Sequence, residues 1–401
     1  MSEAQIGFSL SAGQSFVRAD DEYRLDVLKG THIDLYQDIP PASTERASII
    51  QQMLIGSDKI AGIDQAFRFH RYQGTDSDRK AAASWMAKRL GSAPDPSRVV
   101  LTHGSQDALI MLLSTIVGRQ GLLLLEELTY PSVKVISELL GVQTAAVAMD
   151  DEGVRPDALR QVCEANPCQM ALYCMPTVHN PTTRTMSLER RLAILEICRN
   201  NNVTLIEDDA YGLFSTDEIP TFSELAPDST WYMFTVAKAL SLQLRICLLV
   251  APTEGSVDRV FSSTRRMTFW MATPLSAVLL TRLIEAGEID RLVAGVKEET
   301  AKRQALVSDI FNGLDYRSRP FSPHLWLTVP APWDRRTFAK TARENGVLLN
   351  TSDAYQVGSA TPPEAVRVCI GAPQREEVRL ALTRISNLLR GSSDARAATH
   401  R

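Results

Sequence analysis

One lysine, with a few residues at fixed distances from it, carries the chemistry this chain offers. Lys238 sits in Thr235-Val236-Ala237-Lys238, and Arg245 follows seven positions later. Upstream come Gly104-Ser105-Gln106, Tyr130, Asn180-Pro181 and Asp208-Asp209-Ala210-Tyr211. Downstream, Arg367 interrupts the apolar run Val366-Arg367-Val368-Cys369-Ile370. A lysine amine can condense with an aldehyde and later shuttle a proton. A carboxylate after an apolar strand, as Asp208 follows Val203-Thr204-Leu205-Ile206, opens onto the ligand crevice of an α/β sheet and can hold a cation. A helix opened by Gly104-Ser105-Gln106 is a ready anion site. Arg245 adds a cation able to grip a phosphate in two places. An arginine inside an apolar strand, like Arg367, is costly unless paired. Each feature also has an ordinary explanation: a surface lysine, a helix cap at Asp208 or Ser105, a plain Asn-Pro turn, a structural ion pair at Arg367. Order and spacing together favour the chemical reading.

The elements needed to position these residues can be read from hydrophobic periodicity. Segments 43–56 and 77–91 have helical spacing. From Val99 the pattern alternates. Strands are expected at 99–102, 122–126, 170–175, 203–207, 232–236 and 246–250, with helices at 105–117 and 132–140. Such alternation argues for an α/β fold with a mostly parallel sheet covered by helices. Helices are expected again at 274–286, 290–308 and 335–345, with strands at 324–329 and 366–370, giving a smaller α+β unit. The expected organisation is an N-terminal arm over 1–45 joining the small domain, a large domain over 46–294, a small C-terminal domain over 295–390, and a disordered Ser/Ala/Arg-rich tail over 391–401.

The 401 residues are 44% hydrophobic, enough for a large core. The net charge of −4 gives no electrostatic reason to expect a nucleic-acid partner. The longest apolar runs are too short to span a bilayer, and the start carries no signal-peptide pattern, so a cytoplasmic protein is expected. The six cysteines form no Cys-x-x-Cys pair and no histidines cluster near them, so a metal site is not expected and the thiols read as reduced.

From about Ile33 to about Pro373 the chain resembles the class I/II aminotransferases, which are pyridoxal-phosphate enzymes of fold type I. The resemblance implies the following. Lys238 carries the cofactor as a Schiff base and moves the proton. Asp208, with Asp209 as its rival, pairs with the ring nitrogen. Asn180 and Tyr211 bond the ring's phenolic oxygen, and Tyr130 stacks on the ring. Gly104, Ser105, Gln106, Thr235 and Arg245 hold the phosphate. Arg367 clamps the substrate α-carboxylate. The residue that reaches a partner's phosphate in a homodimer is Tyr72 or Phe69. The expected activity is amino transfer from an α-amino acid to a 2-oxo acid in specialised metabolism, with elimination, replacement or cyclisation on the same cofactor as the alternative.

Several positions depart from the family pattern. Asn180-Pro181-Thr182-Thr183 stands for Asn-Pro-Thr-Gly, Leu242-Gln243 for Pro-Gly, Ala237 for serine, and Asp38-Ile39-Pro40 for Gly-x-Pro. These changes touch the substrate side rather than the cofactor side. His70 and His179 are unusual near such a pocket, though each reads more simply as a structural polar residue. A regulatory module with the same fold is the reading from another class. The roughly thirty residues before the fold are not basic and leave no room for a winged helix, so an enzyme is expected. A scaffold without activity would lack the lysine or the aspartate, and both are present.

Overall fold

The computed structural model describes residues 26, 30–55, 68, 70–267 and 271–399. Seven strands form the main sheet: β1 Val99–Thr102, β2 Leu122–Glu126, β3 Gln143–Val147, β4 Met170–Cys174, β5 Val203–Asp208, β6 Thr230–Thr235 and β7 Cys247–Val250. Their order is β1-β7-β6-β5-β4-β2-β3. β6, β5, β4, β2 and β3 run parallel, while β7 lies antiparallel between β6 and β1. Strands β1, β4, β6 and β7 are buried at every position, as near-continuous apolar runs covered on both faces should be. One face packs on a core that includes Leu109, Phe234, Phe261 and Leu280; the other packs on Leu159, Ile194, Cys198 and Phe222.

The small unit is an antiparallel sheet of β8 Tyr316–Arg317, β9 His324–Thr328, β10 Asn350–Thr351 and β11 Ala365–Cys369, in the order β8-β9-β11-β10. Its core gathers Leu325, Phe338, Val368 and Leu382. Ile33–Asp34 pairs in parallel with Val347–Leu348, and Leu35 enters this core. The helix Glu288–Ile310 links the units: Ile289 and Leu292 pack in the large core and Val307 in the small one. The boundary expected at 294/295 therefore falls inside one continuous helix.

The expected elements are found with small shifts. Not expected from the sequence were β3, β8, β10 and the helices Pro156–Ala165, Leu188–Asn200, Glu254–Met267 and Arg375–Thr399. The helix expected over 105–117 is α-helical at Gly104–Leu112 and closes with a π-turn at Leu113–Val117. The last helix runs Arg375–Thr399, so its backbone continues into the stretch read from composition as disordered. Gly91 ends the helix Asp76–Leu90 in a left-handed conformation (φ 68°), and Thr75 with Asp78 caps its start.

Candidate active site

The main sheet places the candidate residues along one edge. β1 and β4 to β6 end there. β7, running the other way, begins there. The carboxyl edge of an α/β sheet is where ligands bind. Gly104-Ser105-Gln106 follows β1, Tyr130 and Asn180 follow β2 and β4, Asp208 ends β5, Thr235 ends β6 just before Lys238, and Arg245 precedes β7. These residues, with Tyr211 and with Arg367 from β11, line one cavity of about 1000 Å³. Tyr72 does not line it. It is 46% exposed and left-handed (φ 46°). Phe69 lies outside the described residues.

At the phosphate end, Gly104 takes φ 82°, which glycine adopts without strain. Arg245 Nη2 donates to Gln106 Oε1 at 3.4 Å, and Gln106 Nε2 donates to Ser132 Oγ at 3.1 Å. The Thr235 hydroxyl donates to Ile246 O at 3.2 Å.

At the other end, Asp208 is buried. Tyr173 OH donates to its Oδ2 at 2.6 Å and Ala210 N to its Oδ1 at 3.1 Å. Tyr173 was not singled out in the sequence; it sits on β4, next to β5, as an ordinary apolar strand residue would. Burial outweighs these donors and pushes the Asp208 carboxyl up to about 6. Asp209 serves elsewhere. Arg89 Nε bonds its Oδ2 at 2.8 Å and Tyr232 OH bonds the same oxygen at 2.8 Å. Of the two aspartates, Asp208 is the one that lines the cavity. Arg89 is expected to be structural: Arg89→Leu leaves a buried carboxylate unpaired and lowers stability by about 3–5 kcal/mol, read from urea unfolding.

The Asp208 shift predicts a pH dependence. Below 3.8 the carboxyl is protonated in both folded and unfolded chains. Between 3.8 and about 6 the unfolded chain loses its proton first, so stability from this group is lost as pH rises through about 6. The loss is roughly 3 kcal/mol in cofactor-free protein. Asp208→Asn is expected to flatten that part of the stability profile, measured by urea unfolding from pH 4 to 7.5.

Arg367 Nη1 donates to Asn180 Oδ1 at 2.9 Å, and Nη2 donates to Tyr36 O at 2.9 Å. This bond turns the Asn180 carbonyl toward Arg367. Lys238 Nζ donates to Asp38 O at 2.8 Å and lies 3.1 Å from Asp38 Oδ2. The Tyr211 hydroxyl donates to the same Oδ2 at 2.5 Å. His179 is buried beside Glu126 (3.2 Å) and Thr182 (2.8 Å), off the cavity, as a structural polar residue.

These residues fit pyridoxal phosphate. A glycine-opened helix start, Arg245, the buried Asp208 carboxylate and the Lys238 amine all line the one cavity. Among the described residues no cluster of metal-ligating side chains occurs, and no helix is long and apolar enough to cross a membrane.

Comparison with known proteins agrees. Residues 44–385 match the family Aminotransferase class I and II. The chain is 26% identical over 312 residues to the HTH-type transcriptional regulator YdeF of Bacillus subtilis, covering 78% of this chain and 67% of that one. It spans 62% of the length of a second regulator of that organism, YdfD. It is 23% identical to the 2-aminoadipate transaminase of Thermus thermophilus, covering 81% of this chain and 82% of that one. The fold is that of the multiple substrate aminotransferase of Thermococcus profundus (TM-score 0.83, 19% identity, 98% of each chain). The chain belongs to the class I and II aminotransferases, pyridoxal-phosphate-dependent enzymes of fold type I.

Proposed function

We propose that this protein transfers the amino group of an α-amino acid to a 2-oxo acid, with Lys238 moving the proton and Arg367 holding the substrate carboxylate. The observation that carries the reading is that Lys238, Asp208 and the Arg367–Asn180 pair line one cavity. Pyridoxal phosphate supplies, when bound, an aldehyde and an electron-withdrawing ring. Asp208 holds the positive charge on the ring nitrogen. The amides of Gly104, Ser105 and Gln106, the Thr235 hydroxyl and the Arg245 guanidinium hold the phosphate. Tyr130 packs on the ring, and Asn180 and Tyr211 lie toward its oxygen. Arg367 takes the α-carboxylate with two parallel hydrogen bonds. The Lys238 amine would remove the proton from the substrate α-carbon and return it on the far side of the substrate nitrogen, two bonds away.

The acting form is a homodimer in the cytoplasm, with Tyr72 or Phe69 reaching the partner's phosphate. Ile110 and Val135, apolar residues 39% and 48% exposed on the cavity lining, support an interface there, and the free cysteines, most of them buried, support a reducing compartment. A dimer runs at twice 44.3 kDa in light scattering; a monomer removes this part of the reading.

The reading is tested by initial rates at several donor and acceptor concentrations. Parallel double-reciprocal lines are expected, because one substrate leaves before the other binds. Product formation that needs no acceptor rejects amino transfer in favour of elimination or cyclisation. The likeness to regulators raises a sensor role, in which amino acids bind without turnover; the same rates distinguish it.

A further inference from the structure

Among the described residues lining the cavity, the carboxylates are Asp208 and Asp38. Asp208 is committed to the ring. Asp38 stands on the substrate side, where the family pattern has a glycine. Its segment is seated by Gly371, where a Cβ would lie 2.0 Å from Ile39 O, so no other residue there would let the chain pass so close.

The Asp38 side chain is 3% exposed. Its Oδ2 takes the Tyr211 hydroxyl and the Lys238 ammonium, while its Oδ1 is buried without a partner. Burial works against its charge, but Lys238, His324, Arg367 and the Tyr211 hydroxyl outweigh it and pull the carboxyl down to about 2. His324 supplies no full cation at neutral pH, because burial pushes its imidazole down to about 3. Two of the Arg367 donors face Asn180 and Tyr36 instead. The cation in contact with Asp38 is therefore Lys238. On the proposed function, that amine would hold the cofactor in the loaded enzyme and would no longer pair with Asp38. The buried carboxylate then lacks a close cation, a costly state. An amino acid whose carboxylate sits on Arg367 brings one.

We propose that Asp38 is a specificity-determining residue that receives the α-ammonium group of the amino-acid substrate, so that Arg367 and Asp38 together select the zwitterion. While Lys238 is held by the cofactor, a 2-oxo acid has no ammonium and meets Asp38 as a like charge; once Lys238 is free it covers Asp38 again, and an oxo-acid acceptor is not opposed. With Lys238 held, the site thus favours the amino-acid form over the oxo-acid form. The inference rests on the proposed function above.

The test uses two carboxylates of the same shape. N,N-Dimethylglycine is a zwitterion whose tertiary amine cannot condense with an aldehyde, so only binding is read. 3-Methylbutyrate has a carbon in place of that nitrogen and no charge there. Binding to cofactor-loaded enzyme is measured by calorimetry for wild type, Asp38→Asn and Asp38→Glu, with circular dichroism as the folding check. Wild type is expected to prefer N,N-dimethylglycine. Asp38→Asn is expected to lose about tenfold of that preference, with 3-methylbutyrate bound as well or better. Asp38→Glu is expected to keep part of it. A merely structural role would weaken both ligands alike, and that result overturns the proposal. So does an unchanged preference in Asp38→Asn, or a wild type with none. If the preference is unchanged while amino transfer proceeds, the role of Asp38 fails and the proposed function stands.

Discussion

Lys238→Ala is expected to lower turnover by roughly 10⁴-fold or more, because on the proposed function it removes both the amine that would hold the aldehyde and the group that would move the proton. The protein should still fold. Lys238 is only partly buried, and after its removal Asp38 Oδ2 keeps the Tyr211 hydroxyl. It should also still bind cofactor, since the phosphate and ring-nitrogen ends of the cavity do not involve the lysine. The measurement is the donor-plus-acceptor rate at saturating cofactor, with circular dichroism as the folding control. Retention of a tenth of the activity would remove Lys238 from the reaction.

The second large effect is expected at Arg367. The side chain is buried in β11 and bridges two other parts of the structure, Asn180 after β4 and Tyr36 near the N-terminus. On the proposed function Arg367→Leu removes the carboxylate clamp; it also takes the Arg367 donor from the Asn180 carbonyl and leaves Tyr36 O with the weak Cys369 thiol. Truncating one side of a buried, charge-assisted contact costs about 2–5 kcal/mol, so KM for the amino acid should rise by roughly 30- to 4,000-fold. Much of the effect should appear in KM rather than kcat, because the carboxylate is held before and during proton transfer alike. Arg367→Lys should not restore it, since a lysine cannot make two parallel bonds in one plane. Equal KM values for wild type and Arg367→Leu would leave Arg367 a purely structural residue.

Much of this architecture was legible in the chain because its signals are local. The buried strands β1, β2 and β4 to β7 are continuous apolar runs, and the residues that end them fall at the carboxyl edge once the strands are parallel. That is why Gly104, Asn180, Asp208 and Thr235 converge although they are far apart in sequence. β3 escaped notice because Gln143–Val147 is half exposed at the sheet edge, so its composition is mixed. The preference for Asp208 over Asp209 rests on its spacing to Tyr211; what the sequence does not show is that Asp209 is held by Arg89, more than a hundred residues earlier, and by Tyr232. Tyr173 was invisible for a similar reason: its contact with Asp208 crosses from β4 to β5. Asp38 was seen as a departure from pattern, but its partners come from Lys238, Tyr211 and the small domain. No spacing rule connects such residues.

The most direct test of amino transfer is the stoichiometry of a single turnover. Cofactor-loaded enzyme is mixed with a panel of α-amino acids and no acceptor, and the 2-oxo acid released is counted per site. One equivalent, with further release only when an oxo acid is added, is the predicted result. Continued release beyond one equivalent without an acceptor would contradict the account and assign the cavity to elimination or cyclisation.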